Sequence, residues 1–213
     1  MLNITNLNHS FEDRIIFSNA KLNIDDGEII WLRGENGSGK TTLFRILSGI
    51  LEPSVQETLE IKFNNKQLQL TELKKKVNYI PNKPYLFDYL SGMDNIKYLV
   101  SLFSLEKQYY KIMENMEALN MSSELGLEVH AYSLGMKAKL YIGVMLERDS
   151  SLILIDEILN NIDAESIKII TEKLKFMLEQ KKCSIIFSSH VQLMEKIENI
   201  KYINIVDERL VIL

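Results

Sequence analysis

The chain has 213 residues, 46% of them hydrophobic and 25% charged, a balance that supports an ordinary globular core in one large domain or a domain with a subdomain. Its net charge of −4 speaks against wholesale nucleic-acid binding, and its one cysteine, Cys183, excludes an intramolecular disulfide or a cysteine-built metal cluster. No run approaches the roughly 20 apolar residues of a membrane span, so a chain like this one serves a membrane only through another chain.

In chain order, Met1-Leu-Asn-Ile-Thr-Asn-Leu lacks the basic-then-apolar layout of a secretory signal. Short apolar runs follow at Leu2/Ile4, Ile15-Ile16-Phe17 and Leu22/Ile24, closed by Asp25-Asp26-Gly27, and predict a small antiparallel sheet. Phe11 sits between two of these runs among polar neighbours, where it either packs or offers a face for stacking on a purine. Glu28–Arg33 then reads as an apolar strand, and residues 34–42, GENGSGKTT, follow it directly.

That stretch satisfies the pattern G-x-x-x-x-G-K-[ST] at Gly34, Gly39, Lys40 and Thr41, and Leu43–Gly49 after it has helical spacing. Strand, glycine loop and helix in that order make a phosphate cradle. Gly34, Asn36, Gly37, Ser38 and Gly39 bring backbone N–H groups inward, and the helix start adds a positive dipole end. Lys40 then reaches the outer phosphates, the Thr41 hydroxyl holds magnesium, and Thr42 completes the loop.

Beyond Pro53, Thr58–Phe63 alternates as a strand, Asn64-Asn65 is a turn, and Val77–Ile80 is a short strand ended by Pro81 and Pro84. From 85 to 148 the spacing becomes helical over Asn95–Phe103, Glu106–Leu119 and Met136–Glu147, which predicts an inserted helical subdomain. Strand and helix then alternate again: Ser151–Asp156, Ala164–Glu179, Ser184–Ser189 and Val191–Ile197, with a last hairpin of Ile203–Val206 and Leu210–Leu213. Leu152-Ile-Leu-Ile-Asp156-Glu157 is a buried-type strand ending in two acids. At the carboxyl edge of a parallel sheet Asp156 would reach magnesium and Glu157 would face an attacking water as general base. His190 ends the neighbouring strand and is either structural or a phosphate contact.

Taken together, Phe11, the loop 34–42, Tyr79-Ile-Pro-Asn82, Tyr132-Ser-Leu-Gly-Met136, Asp156-Glu157, Asp163 and His190 resemble, in order, the motifs of the ATP-binding cassette (ABC) ATPases. The resemblance spans nearly the whole chain. It implies an α/β, P-loop NTPase core of ABC type with an N-terminal antiparallel β subdomain and an inserted α-helical subdomain. The core would comprise residues 1–84 and 149–213 and the helical part 85–148 of one ABC ATPase domain. It further implies a dimer, of identical or related subunits, that closes head to tail around two ATP molecules with Mg2+. Phe11 would stack on adenine, and Ser133 and Gly135 would face the nucleotide held by the other subunit. Asn82 would reach magnesium and water, Asp163 would couple the two sites, and His190 would contact the γ-phosphate.

The family's glutamine is here Asn82, one methylene shorter, and Leu134, Met136 and Ile158 also depart from its usual residues. The Tyr-Ser-Leu-Gly-Met-Lys form resembles ATPase subunits of bacterial exporters for antimicrobial peptides, lipids or drugs. Such a subunit would be cytoplasmic, held at the inner face of the membrane by a separate permease chain, for which the aromatics Tyr85, Phe87 and Tyr89 are a candidate grip. Two other readings stand beside it: an ATP-binding regulatory or weakly hydrolytic subunit, suggested by Asn82 and Leu134, and a soluble ABC protein acting on nucleic acid or the ribosome.

Overall fold

The computed structural model describes residues 1–181, 183–189 and 199–212. The strands are β1 (Leu2–Phe11), β2 (Arg14–Ile24), β3 (Ile29–Arg33), β4 (Glu60–Phe63), β5 (Lys66–Gln67), β6 (Val77–Ile80), β7 (Leu152–Asp156), β8 (Ser184–Ser188), β9 (Lys201–Val206) and β10 (Arg209–Ile212). The helices are α1 (Lys40–Leu47), α2 (Leu70–Leu73), α3 (Gly92–Phe103), α4 (Tyr109–Ala118), α5 (Leu134–Met145) and α6 (Ala164–Lys181). They build two sheets, one of order β2-β1-β4-β5 and one of order β10-β9-β3-β8-β7-β6. The first is antiparallel throughout, whereas β9, β3, β8, β7 and β6 of the second run parallel and β10 closes the edge as a hairpin.

Strand periodicity assigns each apolar residue of the parallel sheet to one of two cores. Ile29, Trp31, Ile153, Ile155, Ile185 and Phe187 face the helices, including Ile170 and Leu174 of α6 and Leu140 and Ile142 of α5. Ile30, Leu32, Leu152, Leu154 and Ile186 face the other way, onto Leu43, Phe44 and Leu47 of α1 and onto Leu2, Ile4 and Phe17 of the antiparallel sheet. Such two-sided burial is why these strands read as unbroken apolar runs instead of alternating ones. Helix α5 is buried on most of its circumference, with Ala138, Leu140, Tyr141, Ile142, Val144 and Met145 all inside.

The early apolar runs join into two long strands with register shifts, because positive-φ asparagines at Asn6 and Asn19 let the ribbon kink without breaking. Asn64 and Asn65 both have positive φ, the condition for a tight two-residue hairpin between β4 and β5, and Asp207 and Glu208 repeat that geometry between β9 and β10. Helix α3 begins before the residue its apolar spacing suggests. The Ser91 side chain caps it by accepting from the Asp94 N–H, so Gly92 already lies in the first turn. The helix expected over Val191–Ile197 lies outside the described residues, and so does Leu213 of the closing hairpin.

Asn95 is fully buried in α3 and organises the segment ahead of it. Its Oδ1 accepts from Phe87 N–H at 2.8 Å, and its Nδ2 donates to the carbonyls of Phe87, Leu90 and Ser91. Replacing it by alanine strands these buried partners, so Asn95→Ala should lower the free energy of unfolding by about 2 kcal/mol in urea titration. Hydrogen exchange in that variant should accelerate first in residues 85–91.

Candidate functional site

The carboxyl ends of β3, β7 and β8 meet at the start of α1, and the sequence places a polar residue at each of those ends. Between β3 and α1 the loop turns through Gly37 at φ 78° and Gly39 at φ 112°, both in the left-handed region. A Cβ on Gly39 would stand 2.6 Å from Ile16 Cγ2, so β2 packs closely against the loop at that point. Beside it lies an open cleft of about 550 Å³ lined by Phe11, Arg14, Ile16, Asn36, Gly37, Gly39, Lys40, Thr41, Thr42 and Glu157, among others.

Lys40 is the first residue of α1 and is buried there. Its Nζ donates to the carbonyls of Gly34 at 2.8 Å and Glu35 at 3.1 Å and lies 3.8 Å from the Glu157 carboxylate. Thr41 Oγ1 donates to Asp156 Oδ2 at 2.8 Å across a sequence gap of 115 residues. Asp156 has no exposed surface, and two further hydroxyls satisfy it, Tyr79 at 3.1 Å and Ser188 at 2.9 Å. Burial first, and then the Asp156 charge, push the Tyr79 hydroxyl's pKa well above its ordinary value, so it remains a donor. Glu157 takes a left-handed backbone at φ 54°, which ends β7 and starts the turn Ile158–Asn161. Its N–H still reaches Ser188 O at 2.9 Å, which anchors the turn to β8. A non-glycine residue in that conformation stores about 1–2 kcal/mol of strain, which concentrates at functional positions.

A second cluster lies around the start of α5. The Ser133 hydroxyl caps the helix by accepting from Met136 N–H, and Leu134 beside it is 70% exposed. A Cβ on Gly135 would stand 2.7 Å from Asn161 O, so only glycine lets the helix start and the 157–163 segment lie this close. One turn further along α5, Lys139 pairs with Asp163 Oδ2 at 2.6 Å, while Asp163 Oδ1 accepts from Ser166 N–H at the start of α6. Neither Ser133 nor Gly135 lines the cleft of this chain.

Residues 17–160, more than half the chain, match the family model for the ABC transporter. The chain belongs to that family. Among its ABC relatives, the uncharacterised ABC transporter ATP-binding protein YdbJ of Bacillus subtilis is 27% identical over 90% of this chain. The chain spans only 61% of YdbJ's length. The lantibiotic transport ATP-binding protein SrtF of Streptococcus pyogenes is 29% identical over 90% of this chain and 80% of its own. The same fold recurs at a TM-score of 0.81 and 20% identity, over 99% of this chain and 96% of the other, in a dimeric ATP-binding cassette in a post-hydrolysis state bound to ADP and phosphate. Nucleotide binding and a P-loop core of ABC type follow from family and fold.

Of the ABC motif residues expected from sequence, the structure gathers Phe11, Asn36, Gly37, Gly39, Lys40, Thr41, Thr42 and Glu157 around one cleft, with Asp156 directly behind Thr41. Gly34 and Ser38 belong to the same loop, and the Ser38 hydroxyl is buried with no hydrogen-bond partner among the described residues. Asn82 is exposed just beyond β6, whose neighbour β7 ends at Asp156. His190 lies outside the described residues. Sequence reasoning missed Arg14, whose Nη2 donates to Gly37 O at 2.7 Å, and also Tyr79 as a partner of Asp156 and Lys139 as the partner of Asp163. A basic residue three positions after Phe11 was the available signal for the first.

The Lys139 hydrogen bond, followed by the Ser166 N–H, holds the Asp163 carboxyl at about 2, below the ordinary carboxylate value near 3.9. A pKa depressed on folding stabilises the protein fully above the unfolded value, and this stabilisation is lost as pH falls through the folded one. Asp163→Asn should therefore be less stable than the parent at pH 7, and the gap should close as urea titrations are carried from pH 4 towards pH 2.

Proposed function

We propose that this chain is the ATP-hydrolysing subunit of an exporter, working as a dimer with a second copy or a close relative and driving a separate membrane-spanning permease. The observation that carries this reading is the joining, within one cleft, of the glycine loop, the Lys40 ammonium, the Thr41–Asp156 pair and the Glu157 carboxylate. Phosphate binding is supported by the Ser38 hydroxyl, which has no hydrogen-bond partner among the described residues, and by a lysine held on two loop carbonyls with one carboxylate 3.8 Å away. Thr41 and Asp156 supply the hard oxygens that suit magnesium, and Asn82 stands at the neighbouring strand end to assist. Bound Mg2+ supplies charge neutralisation to the triphosphate.

Within this chain each group has a task. The loop N–H groups and the dipole of α1 bind the phosphates, and Lys40 leaves its loop carbonyls to neutralise the outer ones. Phe11, half exposed at the mouth, provides a stacking face for adenine. Glu157 accepts a proton from the attacking water, with its carboxylate held at the cleft by the turn that follows β7. Ser133 and Gly135 present the α5 start to the nucleotide of the other subunit, Asp163 ties that helix to the Glu157 turn, and His190 supplies the γ-phosphate contact. This division assigns residues 1–84 and 149–213 to the nucleotide core and 85–148 to the helical part.

Among the described residues no helix is long and apolar enough to cross a bilayer; the separate permease is inferred from the ABC transporter family match and from relatives named as transport ATP-binding proteins. Tyr85, Phe87, Tyr98 and Leu102, all substantially exposed, line an apolar hollow of about 420 Å³ where that permease docks and holds the subunit at the cytoplasmic face. The export reading rests on SrtF, a lantibiotic transport protein by name.

Glu157→Gln should still bind ATP and dimerise while its turnover falls by about 100-fold or more, because a general base contributes on that scale. Undiminished phosphate release from that variant would remove Glu157 from the mechanism. Lys40→Ala should weaken Mg-ATP binding about 10- to 150-fold by calorimetry, the range expected for one charge-assisted hydrogen bond.

A further inference from the structure

The β1–β2 hairpin carries Phe11 and Arg14 as directly opposed residues that close its turn, with Glu12 at φ 50° between them. The two side chains do different things. The Phe11 ring rests edge to face on the buried ring of His9, with centroids 4.7 Å apart, and leaves about half its surface open at the cleft mouth. Arg14 reaches across to the phosphate loop and donates Nη2 to the Gly37 carbonyl at 2.7 Å. Gly37 is the left-handed apex of that loop, and a Cβ there would already stand 3.4 Å from the guanidinium. The hairpin therefore grips the loop twice: through Ile16 and Phe17 packed on Gly39, and through Arg14 on Gly37.

Resting on the ATP-binding reading above, we propose that Arg14 is a positioning residue for nucleotide recognition, a strut that fixes the distance between the base platform at Phe11 and the phosphate cradle. A nucleoside triphosphate must satisfy both ends at once. The two ends sit on different sheets, Phe11 on the antiparallel one and Gly37 in the loop leaving the parallel one. The apolar grip acts at Gly39, at the start of α1, and Arg14 is a polar tie from the hairpin to Gly37, two residues earlier in the loop. A short bond from a guanidinium to a backbone carbonyl suits this task, because its planar fork loses little freedom on binding. The strut thus makes the nucleoside end and the phosphate end act as one ruler, which favours adenosine triphosphate over a bare polyphosphate.

The test is a double-mutant cycle on Phe11→Ala and Arg14→Ala in the full chain, titrated calorimetrically with Mg-ATP and with magnesium tripolyphosphate, which has the phosphates but no nucleoside. Arg14→Ala should weaken ATP binding about five- to tenfold and change tripolyphosphate binding less than twofold. It should add less than twofold to the loss already caused by Phe11→Ala, and Arg14→Lys should recover part of the ATP affinity. An equal loss for tripolyphosphate would make Arg14 a direct phosphate ligand and overturn the strut. Full additivity with Phe11→Ala, or an unchanged ATP affinity, would overturn it as well. A parent chain that binds no ATP sinks the proposed function itself, whereas a parent that binds ATP without this coupling sinks only the role of Arg14.

Discussion

The buried carboxylate of Asp156 is the interaction on which the rest of the site depends. A carboxyl without exposed surface is costly unless its oxygens are satisfied, and three hydroxyls do this from three different elements. Thr41 comes from α1, Tyr79 from β6 and Ser188 from β8, so a single side chain of β7 ties the first helix to its own strand and to both neighbouring strands. These donors are neutral. None of them pairs the carboxyl with a cation, so its oxygens are satisfied by hydroxyls alone.

That arrangement is possible because the sheet is dry on both faces. Strands β3, β7 and β8 run parallel in register, which brings their carboxyl ends to one edge, and helices or the second sheet cover each side. Polar groups then accumulate only where the strands stop. Glu157 is the first residue past that limit, and its left-handed backbone turns its carboxylate out of the sheet and towards Lys40. The strain of one residue is small against the two cores that hold β7 in place.

Much of this was legible in the amino-acid order, and the reason differs from element to element. The phosphate loop and the Asp156-Glu157 pair are local patterns in which strand, turn and helix are contiguous, so spacing alone exposes them. Leu152–Asp156 and Ser184–Ser188 were readable because two-sided burial demands an apolar residue at every step. The start of α3 escapes apolar spacing because it is set by a polar cap, the Ser91 hydroxyl on the Asp94 N–H. Arg14, Lys139 and the second role of Tyr79 were invisible for a deeper reason. Each acts on a partner 23, 24 or 77 positions away, and nothing in a single chain's composition marks which distant group a cation or a phenol will meet.

The tight seat of Gly135 on the Asn161 carbonyl, with Lys139 gripping Asp163 one turn later, has a mechanical consequence. Helix α5 and the segment that begins with Glu157 are held together at two points, one a close backbone approach and one an ion pair. A displacement of the start of that helix would bear directly on the segment that carries Glu157.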